Sequence, residues 1–454
     1  MESKAISEQH SLTEGPIWKG LLKFALPIFF GGVFQQLYNT ADSIIVGNFL
    51  GKEQLAAVSS SGSLIFLLVG FFTGIAVGAG VVISRYFGAR DYENVHKAVH
   101  TTIAFGIAAG IILTIAGVLL TPQILTWMGT PQDVLPNSVS YFRMYFAGAL
   151  AVVMYNICGG ILQAVGDSRH PLYYLIISSV LNVLLDLLFV GVFRWGVWAA
   201  ALATTISQFV SVALCLARLM RYDTVYRLFP KKIRFHGNLL KQVIRFGIPS
   251  GVQNSVIAFA NVIVQSQINR FSADAMAACG SYAKLEGYVF LPITAFTLAL
   301  TTFVGQNLGA KQYDRTKKGV KFGISCSVIM AELIGVVLFF CAPYLIRLFT
   351  DDANVIAIGA RQARIESLFF FLLAFSHCIA GIMRGAGKPT VPMVIMLVAW
   401  CVIRVSYLWV MVPRFLKIEV VFSAYPLTWS ISSIAFLIYF LKSDWLHAYD
   451  RMKL

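Results

Sequence analysis

Phe24-Ala25-Leu26-Pro27 recurs as Phe246-Gly247-Ile248-Pro249, 222 residues further on. Gly88-Ala89-Arg90, followed by Tyr92, recurs as Gly309-Ala310-Lys311, followed by Tyr313. Pro122 matches Pro343. Gly160-Ile161-Leu162, with Gly166 and Pro171, matches Gly381-Ile382-Met383, with Gly387 and Pro392. These later landmarks keep an offset of 221. A single Gly-Pro pair repeats by chance; one register held across most of each half does not. The chain is therefore two halves of common design.

Each half is too apolar for water. Hydrophobic residues make up 58% of the chain and charged residues 13%, against roughly 45–50% and 25% in soluble domains. Apolar stretches of about 20 residues, enough for a bilayer-crossing helix, lie near 24–46, 60–83, 97–121, 138–163, 171–194 and 196–218. Six more lie near 243–269, 281–305, 317–342, 361–385, 391–413 and 420–441. A transmembrane barrel needs short alternating segments, and these runs do not alternate. The expected fold is all-α, with twelve transmembrane helices in two six-helix lobes.

Of the 36 Lys and Arg residues, 25 fall on the side shared by both termini and nine on the other. Excess basic charge marks the cytoplasmic side, so both termini are expected there, in the cell (inner) membrane. The net charge of +15 is accordingly a topology signal, and no nucleic acid partner is expected. The expected divisions are a cytoplasmic segment at 1–16, a first lobe at 17–218, a basic cytoplasmic linker at 219–242, a second lobe at 243–441 and a tail at 442–454. The first 16 residues carry Glu2, Glu8 and Glu14 and lack the basic start of a cleavable signal. Six spans per half bring both halves into the membrane the same way up, which implies a pseudo-twofold axis along the membrane normal. Gly70, Gly74 and Gly78 share one face of span two, a pattern that lets backbones pack closely. The seven cysteines include no C-x-x-C pair and read as small core residues. No nucleotide motif is complete, since Pro389 follows Lys388 where a phosphate loop needs Ser or Thr. Neither enzyme activity nor a cofactor is expected.

A carboxylate at the centre of a membrane helix costs about 2.5–3.5 kcal/mol. The first half carries two within its spans, Asp42 and Asp186. Asn182 lies one turn before Asp186, and Thr204 lies in span six. At about 1.5 Å per residue, Asp186 and Thr204 both sit roughly 12 Å from the outer surface and Asp42 about 6 Å. The four can converge as a hard, all-oxygen site for a cation such as sodium, or hold a proton between two carboxylates. A helix-capping or pairing role for the aspartates is the alternative. Gln35 and Asn39 share a helix face with Asp42 and either line a polar path or bond between helices. The repeat places Val264, Tyr407 and Tyr425 opposite Asp42, Asp186 and Thr204, so the second half lacks the cluster. That half carries Glu286, Glu332, Glu366, His377 and Arg404 instead. Glu286 and Glu366 are expected within reach of outer water. Arg404 is expected either to pair with a glutamate or to form a second proton or substrate site.

With these residues in place, the chain resembles the multidrug and toxic compound extrusion (MATE) family over about residues 17–441. The twin halves, Leu26-Pro27, Ala41-Asp42 to Gly47, the Gly88-Ala89-Arg90 and Gly305-Gln306-Asn307-Leu308-Gly309-Ala310 turns, and Gly160 to Pro171 carry the resemblance. It implies a secondary antiporter that exports amphipathic, often cationic organic compounds in exchange for protons or sodium. The chain is most similar to the branch in which a first-lobe cluster couples to ions. Asp42, Asn182, Asp186 and Thr204 match that cluster, with Tyr141 as a lining residue. Span seven has no carboxylate, unlike some members. A monomer acting on small organic substrates in the bilayer is expected. A lipid-linked flippase of the wider superfamily, and a membrane receptor or channel, are the alternatives.

Overall fold

A computed structural model describes residues 11–50, 52–127, 130, 132 and 134–451, without the side chains of 52–67. Lys4, Lys453, most of the 1–16 segment and the end of the tail lie outside the described residues. The described regular structure is helical throughout. The first half runs through α1 (Ile17–Leu50), α2 (Lys52–Gly88), α3 (Tyr92–Trp127), the pair α4a (Leu135–Ala147) and α4b (Ala149–Ala164), α5 (Arg169–Val192) and α6 (Val197–Arg221). The second half runs through α7 (Gly237–Ile268), α8 (Ala273–Gly309), α9 (Tyr313–Arg347), the pair α10a (Ala353–Ser367) and α10b (Phe370–Gly385), α11 (Thr390–Phe415) and α12 (Ile418–Lys442). Ten of these are single helices long and apolar enough to span a membrane; the two pairs, bent by 45° and 54°, complete twelve.

The repeat in sequence is a repeat in packing. In the first half α4b packs on α2, α3 and α6, α4a packs on α3, and α5 packs on α6. In the second half α10b packs on α8, α9 and α12, α10a packs on α9, and α11 packs on α12. The glycine landmarks explain why the motif persists. A Cβ on Gly160 would come 3.1 Å from the Ala76 carbonyl oxygen, and one on Gly381 would come 2.6 Å from that of Thr297. Ala76 and Thr297 are themselves 221 apart, so both glycines serve one close helix crossing. Arg90 and Lys311 both adopt positive φ, as do Gly166 and Gly387. The same turns therefore end the same helices in both halves.

The sequence halves and the packed units differ at one element in each half. One unit contains Phe30–Ile248; the other contains Leu12–Phe29 together with the chain from Pro249 onward. The start of α1 thus packs with second-half helices, and the start of α7 with first-half helices. Leu21, Phe24 and Ala25 are buried in one cluster with Ala299, Leu300 and Phe303. Leu12 caps that cluster: its N–H donates to Gln306 Oε1 at 2.9 Å, and Asn307 Nδ2 donates to its carbonyl at 3.3 Å. Arg315 donates to the Gly15 and Glu14 carbonyls at 2.8 Å each. The end of the segment at 1–16 is therefore a strap held by Gln306 and Asn307. In the first unit, the linker docks on α3: the Phe229 N–H donates to His100 Nε2 at 3.0 Å, and the His236 N–H donates to Thr101 Oγ1 at 3.2 Å. Gly78 meets the backbone of Gly247, with only 2.3 Å between a Cβ built on Gly78 and the Gly247 nitrogen. Close packing is what Gly78 supplies. The repeated Pro27 and Pro249 interrupt the hydrogen-bond ladder of α1 and α7 near the places where those helices change units, since proline offers no N–H.

Candidate functional site

The first unit brings its expected oxygen cluster together. α1 supplies Asp42 and, one turn earlier, Tyr38. α5 supplies Asn182 and Asp186, one turn apart, and α6 supplies Thr204. The Asp42 and Asp186 carboxylates lie within hydrogen-bonding reach of each other. Asp186 is fully buried and Asn182 nearly so. Asn182 Nδ2 donates to Thr204 Oγ1 at 3.3 Å, and Thr204 Oγ1 donates to the Ala200 carbonyl at 3.1 Å.

The decisive feature is what these oxygens lack. Asp42 Oδ1, both Asp186 carboxylate oxygens and Asn182 Oδ1 are buried without a hydrogen-bond donor among the described residues. Buried polar groups are ordinarily satisfied, and an unsatisfied one costs about 1–3 kcal/mol, more if charged. No Lys or Arg is paired with either aspartate among the described residues. A proton or a cation entering from outside the protein would satisfy these oxygens. The described residues hold no cluster of three or more acidic, His or Cys groups, so a sodium ion would rely on amide and hydroxyl oxygens beside the two carboxylates. The donor set fits a hard monovalent ion.

Several of these neighbours were missed from sequence. A small cavity beside the carboxylates is lined by Tyr38, Ser178, Ser179, Asn182, Thr204, Ser207 and Gln208. Ser179 Oγ, Ser207 Oγ and Gln208 Oε1 are buried without partners there among the described residues. The signal was available: Ser178, Asn182 and Asp186 recur every four residues on α5, and Thr204, Gln208 and Ser211 follow one another at four- and three-residue steps on α6. Tyr141 is buried and within electrostatic reach of both aspartates. Gln35 and Asn39 are exposed, and Gln35 Nε2 donates to the Tyr38 hydroxyl at 3.2 Å. Gln35 thus holds a tyrosine of the cavity, whereas no side-chain contact ties Asn39 to the cluster among the described residues.

The backbone marks the same spot. Asp186 ends the α-helical part of α5, and Leu187–Val192 continue as a π-helix. π-helical turns are rare and concentrate at functional sites. A second π-helix, Leu397–Ile403, leads directly into Arg404. In each half, then, a π-turn adjoins the buried charge.

The second unit is organised differently. Arg404 is 1% exposed and donates to Thr428 Oγ1 through Nη2 at 2.9 Å and Nε at 3.3 Å. Its guanidinium lies over the Tyr425 ring at 4.5 Å and near the Trp400 ring at 5.1 Å. Tyr425 is the repeat counterpart of Thr204. Glu286 and Glu366 are within electrostatic range of Arg404, but no carboxylate is within ion-pair distance of it among the described residues. Of the two roles expected for Arg404, the direct ion pair is thus replaced by hydroxyl and aromatic contacts. Glu366 is fully buried, not near water as expected, because α10a turns that face onto α8 and α12; Gln362 Nε2 donates to it at 2.9 Å. Glu286 is half-buried. Glu332 stands apart: its carboxylate accepts the Phe371 N–H at 3.2 Å, capping the start of α10b at the bend. His377 packs edge-on against the Phe290 and Trp400 rings, and its Nε2 has no hydrogen-bond partner among the described residues.

Twelve apolar helices in two similarly packed halves, with a buried cluster of unsatisfied oxygens in one of them, fit a multi-pass membrane transporter. A model of the MatE family matches residues 27–188 and again 249–410, and the chain belongs to that family of multidrug efflux transporters. It is similar to the probable multidrug resistance protein YoeA of Bacillus subtilis, with 28% identity over 92% of each chain. It is also similar to the probable multidrug resistance protein NorM of Thermotoga maritima, 25% identical over 88% of this chain and 86% of that one. Among solved structures, an outward-facing MATE transporter shares the fold at a TM-score of 0.90, with 23% identity over 98% of this chain and 99% of that one.

Proposed function

We propose that this chain is a secondary active antiporter that exports amphipathic organic compounds, often cationic, in exchange for protons or sodium by alternating access. It works as a monomer in the cell (inner) membrane, with both termini cytoplasmic and without a bound cofactor. One observation carries the reading: two adjacent carboxylates in the first unit leave their buried oxygens without donors among the described residues. Two negative charges at this separation in a low-dielectric interior repel strongly, and a proton or cation between them relieves the repulsion. An ion gradient then controls the occupancy of that position. Tyr38 and Tyr141 lie within electrostatic range of both carboxylates, and Tyr145 stacks beside Tyr141 at 6.5 Å; aromatic faces attract organic cations by about 2 kcal/mol or more once water is excluded. Ion entry that competes with a bound cation would promote its release by linkage.

The test is efflux of a fluorescent organic cation from proteoliposomes under an imposed pH or sodium gradient. Gradient-dependent efflux is expected. Export that proceeds equally without either gradient would overturn the antiport reading.

A further inference from the structure

Two grooves open at repeat-equivalent positions. One, of about 870 Å³, lies between the end of α9 and α10a. The other, of about 730 Å³, lies along α4a. Residues 135, 136, 139, 140, 143 and 144 line the smaller groove; residues 356, 357, 360, 361, 364 and 365, each 221 further on, line the larger. Arg143 and Arg364 are the pair of cations in this register. The larger groove adds Arg347 and Arg361, where the first half has Thr126 and Ser140. The repeat places a groove at equivalent residues in both halves and concentrates positive charge in one of them.

Ala353, Ala357 and Ala360 of α10a are among the residues that line the larger groove. Its three arginines are exposed, and each has one partner in the protein. Arg347 Nε stands 3.8 Å from Asp351, with both side chains well exposed. Arg361 pairs with Glu419, and Arg364 Nε donates to the Phe339 carbonyl at 3.4 Å. Against three arginines the lining offers one carboxylate, Asp351. The groove also runs into an apolar surface. Val336, Phe340, Pro343 and Arg347 share one face of α9, and Phe340 and Tyr344 are 70% and 75% exposed. A ligand matched to this surface has a phosphate at one end and a hydrocarbon chain at the other. Arginine suits the phosphate because its fork of donors pairs with two oxygens at once.

We propose that the groove between α9 and α10a binds an anionic phospholipid, with the phosphate headgroup between Arg347, Arg361 and Arg364 and an acyl chain along the Phe340 face of α9. The groove lies at the end of α9 opposite its basic start at Lys317 and Lys318, just beyond the apolar run near 317–342 that is expected to cross the bilayer. The smaller groove, with Arg143 alone, holds such a lipid more weakly.

The experiment is native mass spectrometry of the purified protein with dioleoyl-phosphatidylglycerol, with inorganic phosphate as competitor. Removing one arginine from the phosphate should weaken binding by about tenfold, the size of a hydrogen bond to a charged group. Arg361→Gln with Arg364→Gln should therefore remove the tightest adduct, whereas Arg414→Gln, an exposed arginine outside the groove, should not. Glu419→Gln, which frees Arg361, should tighten the adduct. Arg364→Lys, which keeps the charge and leaves the fold undisturbed, should weaken the adduct by less than the double variant does. Equal loss in Arg414→Gln, no loss in the double variant, or displacement of the lipid by inorganic phosphate at matched concentration would each overturn the assignment.

Discussion

Removing the charge from Asp42 or Asp186 tests the proposed ion coupling directly. Asn keeps the shape of Asp, so Asp42→Asn and Asp186→Asn change the fold little while deleting a carboxylate. In either variant, an ion held by both carboxylates gives up one charge-assisted interaction, worth about 1.5–3 kcal/mol. That corresponds to roughly 10- to 150-fold weaker ion binding. Because the two carboxylates interact electrostatically, the effects should not add: Asp42→Asn with Asp186→Asn should be hardly worse than either alone, a coupling of about 0.5–3 kcal/mol. Two measurements read this out. The first is gradient-driven efflux, which should vanish in both single variants. The second is the thermal unfolding midpoint against sodium concentration and pH. An ion that binds only the folded protein adds about 2.7 kcal/mol at a hundredfold excess over its dissociation constant, and this gain should disappear in the variants. With no ion bound, the variants should be at least as stable as the parent, since the like-charge repulsion is gone. Asp223→Asn, at a site with a 94% exposed side chain, is the control and should change nothing. Strictly additive effects, or full gradient-driven efflux in either variant, would refute the argument that the carboxylates act as one ion-accepting unit.

Three further outcomes follow from the packing. Gly78→Ala should destabilise the protein by about 1–3 kcal/mol, the cost of overpacking, because the new methyl would lie 2.3 Å from the Gly247 nitrogen; an unchanged melting temperature would contradict the close approach. Gly148→Ala should weaken folding similarly, because its methyl would lie 2.3 Å from Thr205 Oγ1 at the bend between α4a and α4b; Gly148→Ala with Thr205→Ser, which removes one of the opposing atoms, should recover part of the stability in a denaturation assay. Asp167, in the turn after α4b, is buried, which pushes its carboxyl up, yet the hydrogen bond and charge of His170 and the charge of Arg218 hold it below the ordinary range. A depressed carboxylate stabilises the fold above its unfolded value of about 3.9 and loses that contribution as pH falls through the lower folded value. Asp167→Asn should thus cost about 1–3 kcal/mol near neutral pH, and the gap between variant and parent should close in strong acid when unfolding is followed against pH.

The residues that made the fold legible from sequence are those whose meaning is local. Twelve apolar runs, each about 20 residues long, need a bilayer whatever surrounds them. Gly160 and Gly381 hold one register because each must let a neighbouring backbone approach. Asp42, Asn182, Asp186 and Thr204 could be brought together in advance because helix rise fixes depth, and depth is a one-dimensional quantity. The tyrosine and serine lining of the site was half legible, as polar stripes at helical spacing, and passed unnoticed because Ser and Tyr are ordinary in membrane helices.

By itself, then, the sequence determined the number of spans, their duplication, and which polar groups share a depth. Only the tertiary structure decided which helix each half lends to the other unit, because Leu21 and Phe24 are as apolar as any core residue until Ala299 and Phe303 are found beside them. It alone placed Glu366 in the interior and Glu332 at a helix start, since a glutamate near a span end reads alike in both places. It alone set the π-turns against Asp186 and Arg404 and opened matched grooves on α4a and α10a. Each of these depends on contacts between residues far apart in the chain, and periodicity along one helix carries no information about the helix it will meet.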